Sequence, residues 1–271
     1  MKDIKSLFYK LTNIKAIKCY KIKSGITNNN YKIITENEKY VIRIPRKDMI
    51  GLNRENEEKV INKVLMADLN VDVVYFNINS GIMISRFIQT KKRKQVPFGV
   101  IIEHLKKLHS LSTNNIIEFN PFKLIDMYAD EISEKSFNNK EIVIQKAKEV
   151  YKRYQVVLCH NDVLYANCIN SNNKEYLIDY EYAGKNIDLF DIASFLSENN
   201  IDDINKQQRF IKMYYGEIND QLIDDINVMF LLLDMLWAYW GYYMYEKYQE
   251  QVFLDIATSK HNRYNSKDYI Y

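Results

Sequence analysis

Proline and glycine are scarce in this chain, 3 and 7 residues in 271, which argues against long disordered linkers. The three cysteines, Cys19, Cys159 and Cys168, are odd in number and lack metal-ligand spacing. They read as free thiols in a reducing compartment. An excess of either charge is also missing: 38 Lys plus Arg stand against 35 Asp plus Glu, a net +3. Strong attraction to nucleic acid is not implied, and no nucleic-acid partner is expected. The one local exception, Lys91-Lys92-Arg93-Lys94, reads as a solvated loop, with an anion-binding patch as the alternative. No apolar run is long enough for a bilayer. Val228 to Tyr245 is broken by Asp234, and Met235 to Tyr245 falls well short of the ~20 residues needed. Met1 to Ser6 is charged and shows no secretory pattern, so a cytoplasmic protein without membrane insertion is expected.

What remains is an ordinary globular composition, 47% apolar and 27% charged, with length enough for one large domain or two lobes. Alternating residues predict antiparallel strands at 17–23, 30–35 and 40–44, with a hairpin turn over Glu36 to Lys39 and a stop at Pro45. Val60, Ile61, Val64, Leu65 and Leu69 recur at helical spacing, predicting a helix over 53–69. Strands at 73–77 and 82–85 flank the turn residues Asn79-Ser80-Gly81. Beyond Arg86 the pattern is mainly helical. Pro97 can open a helix to about residue 111, and others are predicted near 122–134, 139–154, 188–199, 203–216 and 221–249. A short β-rich insert, 156–178, interrupts them. The expected class is α+β, with a small antiparallel sheet and one helix in residues 1–86 and a larger, mainly helical lobe in 87–271.

The insert carries the most informative residues. Asp162 and Asn167 stand five apart in a loop between two short apolar strands, and Asp179 ends another strand just beyond a hairpin. Phosphoryl transfer from a nucleotide needs one carboxylate to orient and deprotonate a hydroxyl, plus oxygen ligands that hold Mg²⁺ against the phosphates. Asp162 fits the base, Asn167 and Asp179 the metal ligands, and ATP with Mg²⁺ are the cofactors such chemistry uses. A lone loop aspartate commonly caps a turn; the spacing of all three favours chemistry. An unperturbed carboxylate is a weak base, so alignment of the hydroxyl is its larger service.

The segment His160 to Asn167 resembles the HxDxxxxN loop shared by aminoglycoside phosphotransferases and choline kinases, which are related in fold to protein kinases. Asp179-Tyr-Glu-Tyr-Ala-Gly184 resembles the IDxEYA segment of the same superfamily, and Phe190 to Glu198 resembles the FDIA…E stretch of choline and ethanolamine kinases. Upstream, residues 24–28 (SGITN), 40–45 (YVIRIP) and 53–57 (NRENE) are similar to the GLTN, YVLRIPG and NRxxE motifs of bacterial choline kinases. The resemblance runs in order from about residue 20 to about residue 264. It implies a protein-kinase-like bilobal fold, with nucleotide in a cleft and a hinge near Ser85 to Gln89.

The same resemblance distributes further roles. Arg43 occupies the position of the strand lysine that touches the nucleotide phosphates in protein kinases. Its natural partner is Glu57, with Glu55 as the competitor. No GxGxxG is present; Gly25, Thr27 and Asn28 are the candidates for phosphate contact. His160 is expected to support the catalytic loop, and Asp191, at a helix start, to brace it. Trp237 and Trp240 lie three apart on one helix face, a pattern that by itself commonly means core packing. A quaternary ammonium, however, is best held by aromatic faces with a carboxylate nearby. The resemblance puts these two tryptophans in the choline pocket, with Glu198 beside the ammonium. Ile256 stands where choline kinases of the eukaryotic type carry another pocket tyrosine, and Arg263-Tyr264 matches the bacterial pattern without an assigned role.

The implied activity is choline kinase, ATP + choline → ADP + phosphocholine, acting on a small amino alcohol. Ethanolamine, thiamine and aminoglycoside phosphotransferases are the alternatives within the superfamily, and a ligand-binding pseudokinase is the alternative outside enzymology. Oligomeric state stays open.

Overall fold

The computed structural model describes residues 1–271 apart from 24, 48, 91–95, 172–173 and 267–271, so the basic run at 91–94 lies outside the described residues. The chain forms two compact units, Met1–Val100 with Tyr165–Glu181, and Ile101–Leu164 with Tyr182–Tyr271.

In the first unit, five strands form one antiparallel sheet: β1 (Lys18–Lys21), β2 (Asn28–Ile34), β3 (Lys39–Pro45), β4 (Val73–Phe76) and β5 (Met83–Arg86), in the order β1-β2-β3-β5-β4. The β2–β3 turn is closed by Thr35, whose Oγ1 donates to Glu38 O at 2.9 Å and accepts from Glu38 N at 3.1 Å. Alternation along β3 sends Tyr40 and Ile42 into a core with Cys19, Ile33 and Ile84, and Arg43 to the opposite face.

That core is covered by a helix the strand-rich reading omitted, α1 (Lys2–Thr12). Its charged first residues hide Ile4, Leu7, Phe8 and Leu11, which share one face at i, i+3, i+4 and i+7. Phe8 is fully buried and meets Tyr40 at 5.4 Å between ring centroids. Helix α2 (Arg54–Met66) starts at Asn53, whose side chain accepts from Asn56 N at 2.8 Å. It buries Val60, Ile61 and Val64. A short hairpin completes the unit: its strands are Cys168–Asn170 and Glu175–Leu177. Leu177 N donates to Leu69 O at 3.0 Å, anchoring the hairpin beyond the end of α2.

The second unit is mainly helical: α3 (Phe98–His109), α4 (Pro121–Ala129), α5 (Lys140–Tyr151), α6 (Asp188–Glu198), α7 (Ile204–Tyr215), α8 (Asp220–Tyr248) and α9 (Gln251–Asn265). Strand β6 (Val156–Cys159) pairs antiparallel with a second short strand, Gly184–Ile187. Helix α8 is the spine, buried without interruption from Met229 to Met244. Helix α9, also absent from the sequence-based expectation, packs along it and buries Phe253, Ala257 and Tyr264. The two helices approach closely at Gly241, where a Cβ would lie 2.9 Å from Ala257 N and 3.0 Å from Phe253 O, so any larger residue must push the helices apart. Among the described residues no helix is long and apolar enough to cross a membrane. All three cysteines are free, Cys19 and Cys159 buried and Cys168 partly so.

Candidate active site

Arg43 is the hub of a polar cluster in the first unit. Its Nη2 donates to Glu57 Oε1 at 2.5 Å and to Gly81 O at 3.4 Å, and its Nη1 donates to Asp179 Oδ1 at 3.3 Å. Glu57, rather than Glu55, is therefore its helix partner. Arg54 donates from Nη1 to Glu57 Oε2 at 2.5 Å and to Glu181 Oε2 at 3.3 Å. Asn28 adds its Nδ2, 3.3 Å from Glu181 Oε2 and 3.1 Å from Thr27 Oγ1. Burial opposes the charge of Arg43, but Glu57, Glu181 and Asp179 outweigh that penalty and hold its guanidinium firmly protonated.

Three carboxylates, Glu57, Asp179 and Glu181, thus face two guanidiniums. Asp179 is the open corner, with 29% of its side chain exposed against 1% for Glu57 and 3% for Glu181. Desolvation first, and then the neighbouring Glu181, push its carboxyl up to about 7. Asp179 also sits at φ +70, a left-handed conformation that Asp and Asn tolerate better than longer side chains. One residue earlier, Ile178 N donates to Asn167 O at 2.9 Å. Asn167 and Asp179 therefore flank the same end of the hairpin. A carboxylate in anionic excess is a hard oxygen donor of the kind that suits a small divalent cation, and the amide of Asn167 is a second oxygen donor carried at this end of the hairpin.

In the second unit, the loop holding Asp162 is shaped by α6. Asp191, fully buried, accepts His160 N at 2.8 Å and Asn161 N at 2.7 Å. His109 Nε2 lies 2.9 Å from the same carboxylate, and its Nδ1 lies 2.6 Å from Tyr214 Oη. Cys159 completes a buried group with His109 and Asp191, but the N–H donors already occupying Asp191 make this a brace. Asp162 N donates to His160 Nδ1 at 3.3 Å. Asn161, at φ +66, is pinned through Nδ2 to Tyr182 O at 2.9 Å and through Oδ1 to Asn186 Nδ2 at 2.8 Å. Ser194 Oγ accepts Val163 N at 3.2 Å. The backbone on both sides of Asp162 is thereby fixed.

Trp237 and Trp240, each 6% exposed, meet edge to face at 6.1 Å on α8. Tyr182 stands 5.3 Å from Trp237, and Phe253 stands 5.7 Å from Trp240. Neither indole N–H has a hydrogen-bond acceptor among the described residues. Glu198, at the C-terminal end of α6, is bound by Lys260 at 2.5 Å. Sequence reasoning missed Arg54, Glu181 and Lys260. The first and second lie inside the quoted motifs, but nothing in a lone charge says that it will be buried.

Sheet, hairpin and braced loop together define the kinase-like class of folds. Residues 19–267 match the family described as choline/ethanolamine kinase, and the chain belongs to that family. It is similar to Protein LicA of Haemophilus influenzae, 26% identical over 193 residues, covering 64% of this chain and 56% of that protein. The matched region thus spans little more than half of that relative's length. Among solved structures, choline kinase LicA from Streptococcus pneumoniae superposes with a TM-score of 0.82 at 25% identity, covering 97% of this chain and 96% of the other. A structure of LicA in complex with AMP gives a TM-score of 0.77 at 24% identity, covering 97% and 96%.

Proposed function

We propose that this protein is an ATP-dependent small-molecule kinase that transfers the γ-phosphoryl group to the hydroxyl of choline, giving ADP and phosphocholine. The observation that carries the reading is the Arg43–Glu57 pair reaching Asp179 at 3.3 Å. It places a rigid guanidinium fork, suited to phosphate oxygens, beside the most open carboxylate of the cluster. Residues 1–86 supply the nucleotide-binding groups, Arg43, Glu57, Gly25, Thr27 and Asn28. Residues 87–271 supply the catalytic loop and the acceptor pocket.

Asn167 and Asp179 would hold magnesium, which when bound neutralises triphosphate charge. Asp162 orients the acceptor hydroxyl and takes its proton as the bond to phosphorus forms. His160 and Asp191 hold that loop in shape. Trp237 and Trp240 receive the trimethylammonium head, with Glu198 close by. A buried aromatic pair suits a head group that has no N–H to donate, which favours choline over ethanolamine or an aminoglycoside.

Coupled measurement of ADP release tests this with choline, ethanolamine, thiamine and kanamycin, with and without Mg²⁺. Choline should show the highest kcat/KM, and turnover should require the metal. Asp162→Ala should lower kcat about 10²–10⁴-fold. No acceptor-dependent ADP release would establish the pseudokinase instead, and choline as the poorest of the four would overturn the aromatic-pocket assignment.

A further inference from the structure

The carboxylate assigned to the substrate's charge is already engaged. Lys260 Nζ donates to Glu198 Oε1 at 2.5 Å, with side chains only 12% and 10% exposed. Ser197 Oγ donates to the same oxygen at 3.3 Å, and Arg263 Nη2 stands 3.8 Å from it. Arg263 in turn forks onto Asp234 of α8, Nε lying 2.8 Å from Oδ1, and donates from Nη1 to Ser197 O at 3.0 Å. The register of α8 against α9 is fixed by Asp234–Arg263 and by Gly241–Ala257. Lys260 therefore lies on α9 level with Trp237. Two carboxylates, Glu198 and Asp234, and two cations, Lys260 and Arg263, cancel on this flank before any ligand arrives.

We propose that Lys260 is a specificity-determining residue, a tethered primary ammonium that occupies Glu198 and so selects acceptors whose cationic head has no N–H. The proposal rests on Trp237, Trp240 and Glu198 forming the acceptor pocket. A free primary ammonium gives up water bound to three N–H donors and must recover those bonds from the protein. At Glu198 it competes with an ammonium held in place by its own chain, whose effective concentration far exceeds that of a dissolved ligand. A trimethylammonium needs no hydrogen-bond acceptor from Glu198 and draws its contact from the indole faces. Discrimination thus comes from denying a partner to the wrong substrate as well as from fitting the right one.

Lys260→Met removes the ammonium and keeps most of the stem; Lys260→Arg keeps a cation. Trp237 and Trp240 are the only tryptophans in the chain, so tryptophan emission reports binding at this pocket without turnover. Lys260→Met should lower KM and the emission-derived Kd for ethanolamine with kcat little changed, moving the choline-to-ethanolamine ratio of kcat/KM about tenfold toward ethanolamine. Lys260→Arg should restore the wild-type ratio. A folded Lys260→Met protein whose ratio stays within about twofold of wild type overturns the proposal, as does an equal shift in Lys260→Arg. Should Lys260→Met fail to fold, Glu198→Gln and the double variant Glu198→Gln/Lys260→Met supply the test. The single variant leaves Lys260 to repel choline, and the double variant should recover choline binding; no recovery overturns the proposal. Wild-type emission indifferent to choline would instead overturn the pocket assignment, and the proposal with it.

Discussion

Asp191 Oδ1 accepts the backbone N–H of Asn161 at 2.7 Å, a bond between residues 30 positions apart that sets the geometry of the loop carrying Asp162. Asp191→Ala would leave the buried N–H groups of His160 and Asn161, and the ring of His109, without their acceptor. A loss of about 3–5 kcal/mol of stability is expected from urea unfolding. Asp191→Asn keeps one acceptor oxygen and should fall between. In the folded Asn variant kcat should drop about tenfold with acceptor KM little altered, because what is lost is alignment.

The Arg43 cluster makes a non-additive prediction. Arg43→Met leaves the buried carboxylate of Glu57 to Arg54, which it shares with Glu181, and should destabilise by about 3–5 kcal/mol. Adding Glu57→Gln removes the excess negative charge, so the double variant should be more stable than Arg43→Met alone. Chemical denaturation of the four proteins of the cycle measures this coupling. A double variant as unstable as the sum of the singles would show that the pair is not an energetic unit.

Replacing an indole by a smaller ring tests the aromatic wall. Trp237→Phe and Trp240→Phe should each raise choline KM about 3–10-fold, with kcat near wild type, as expected for loss of uniform cation–π binding. Steady-state kinetics at saturating ATP gives the split. An effect on kcat alone would place these rings in the core only.

Gly241→Ala should destabilise despite the better helix propensity of alanine, about 1 kcal/mol. The new methyl would press on Ala257 N and Phe253 O at 2.9 and 3.0 Å, which forces α8 and α9 apart. A net loss of about 1–3 kcal/mol is expected, read as a lower Tm. An unchanged or higher Tm would mean that the helices can yield there.

Legibility of the fold followed the strength of the local signal. Helix α8 showed because nearly every residue from Met229 to Met244 is apolar and buried, and the sheet strands showed through alternation. Helix α9 did not, because its apolar residues crowd into Val252 to Ala257 while Ser259 to Asn265 is polar apart from Tyr264, and only Phe253, Ala257 and Tyr264 are buried. Strand Gly184–Ile187 has no strand-like composition; pairing with β6 makes it one. The spacing of Asp162, Asn167 and Asp179 is what marks them as candidates. Glu181 and Lys260 were not legible, since a charge buried by partners distant in sequence looks locally like a charge on a solvated surface.

The left-handed backbone at Asp179 narrows what evolution or an engineer can put there before any chemistry is considered. Glutamate would preserve the carboxylate yet resist that torsion, while asparagine and glycine would accept the torsion and surrender the charge. Aspartate is the one amino acid that meets both demands, so the seemingly mild exchange of one acid for another at this position should rank among the least tolerated in the chain.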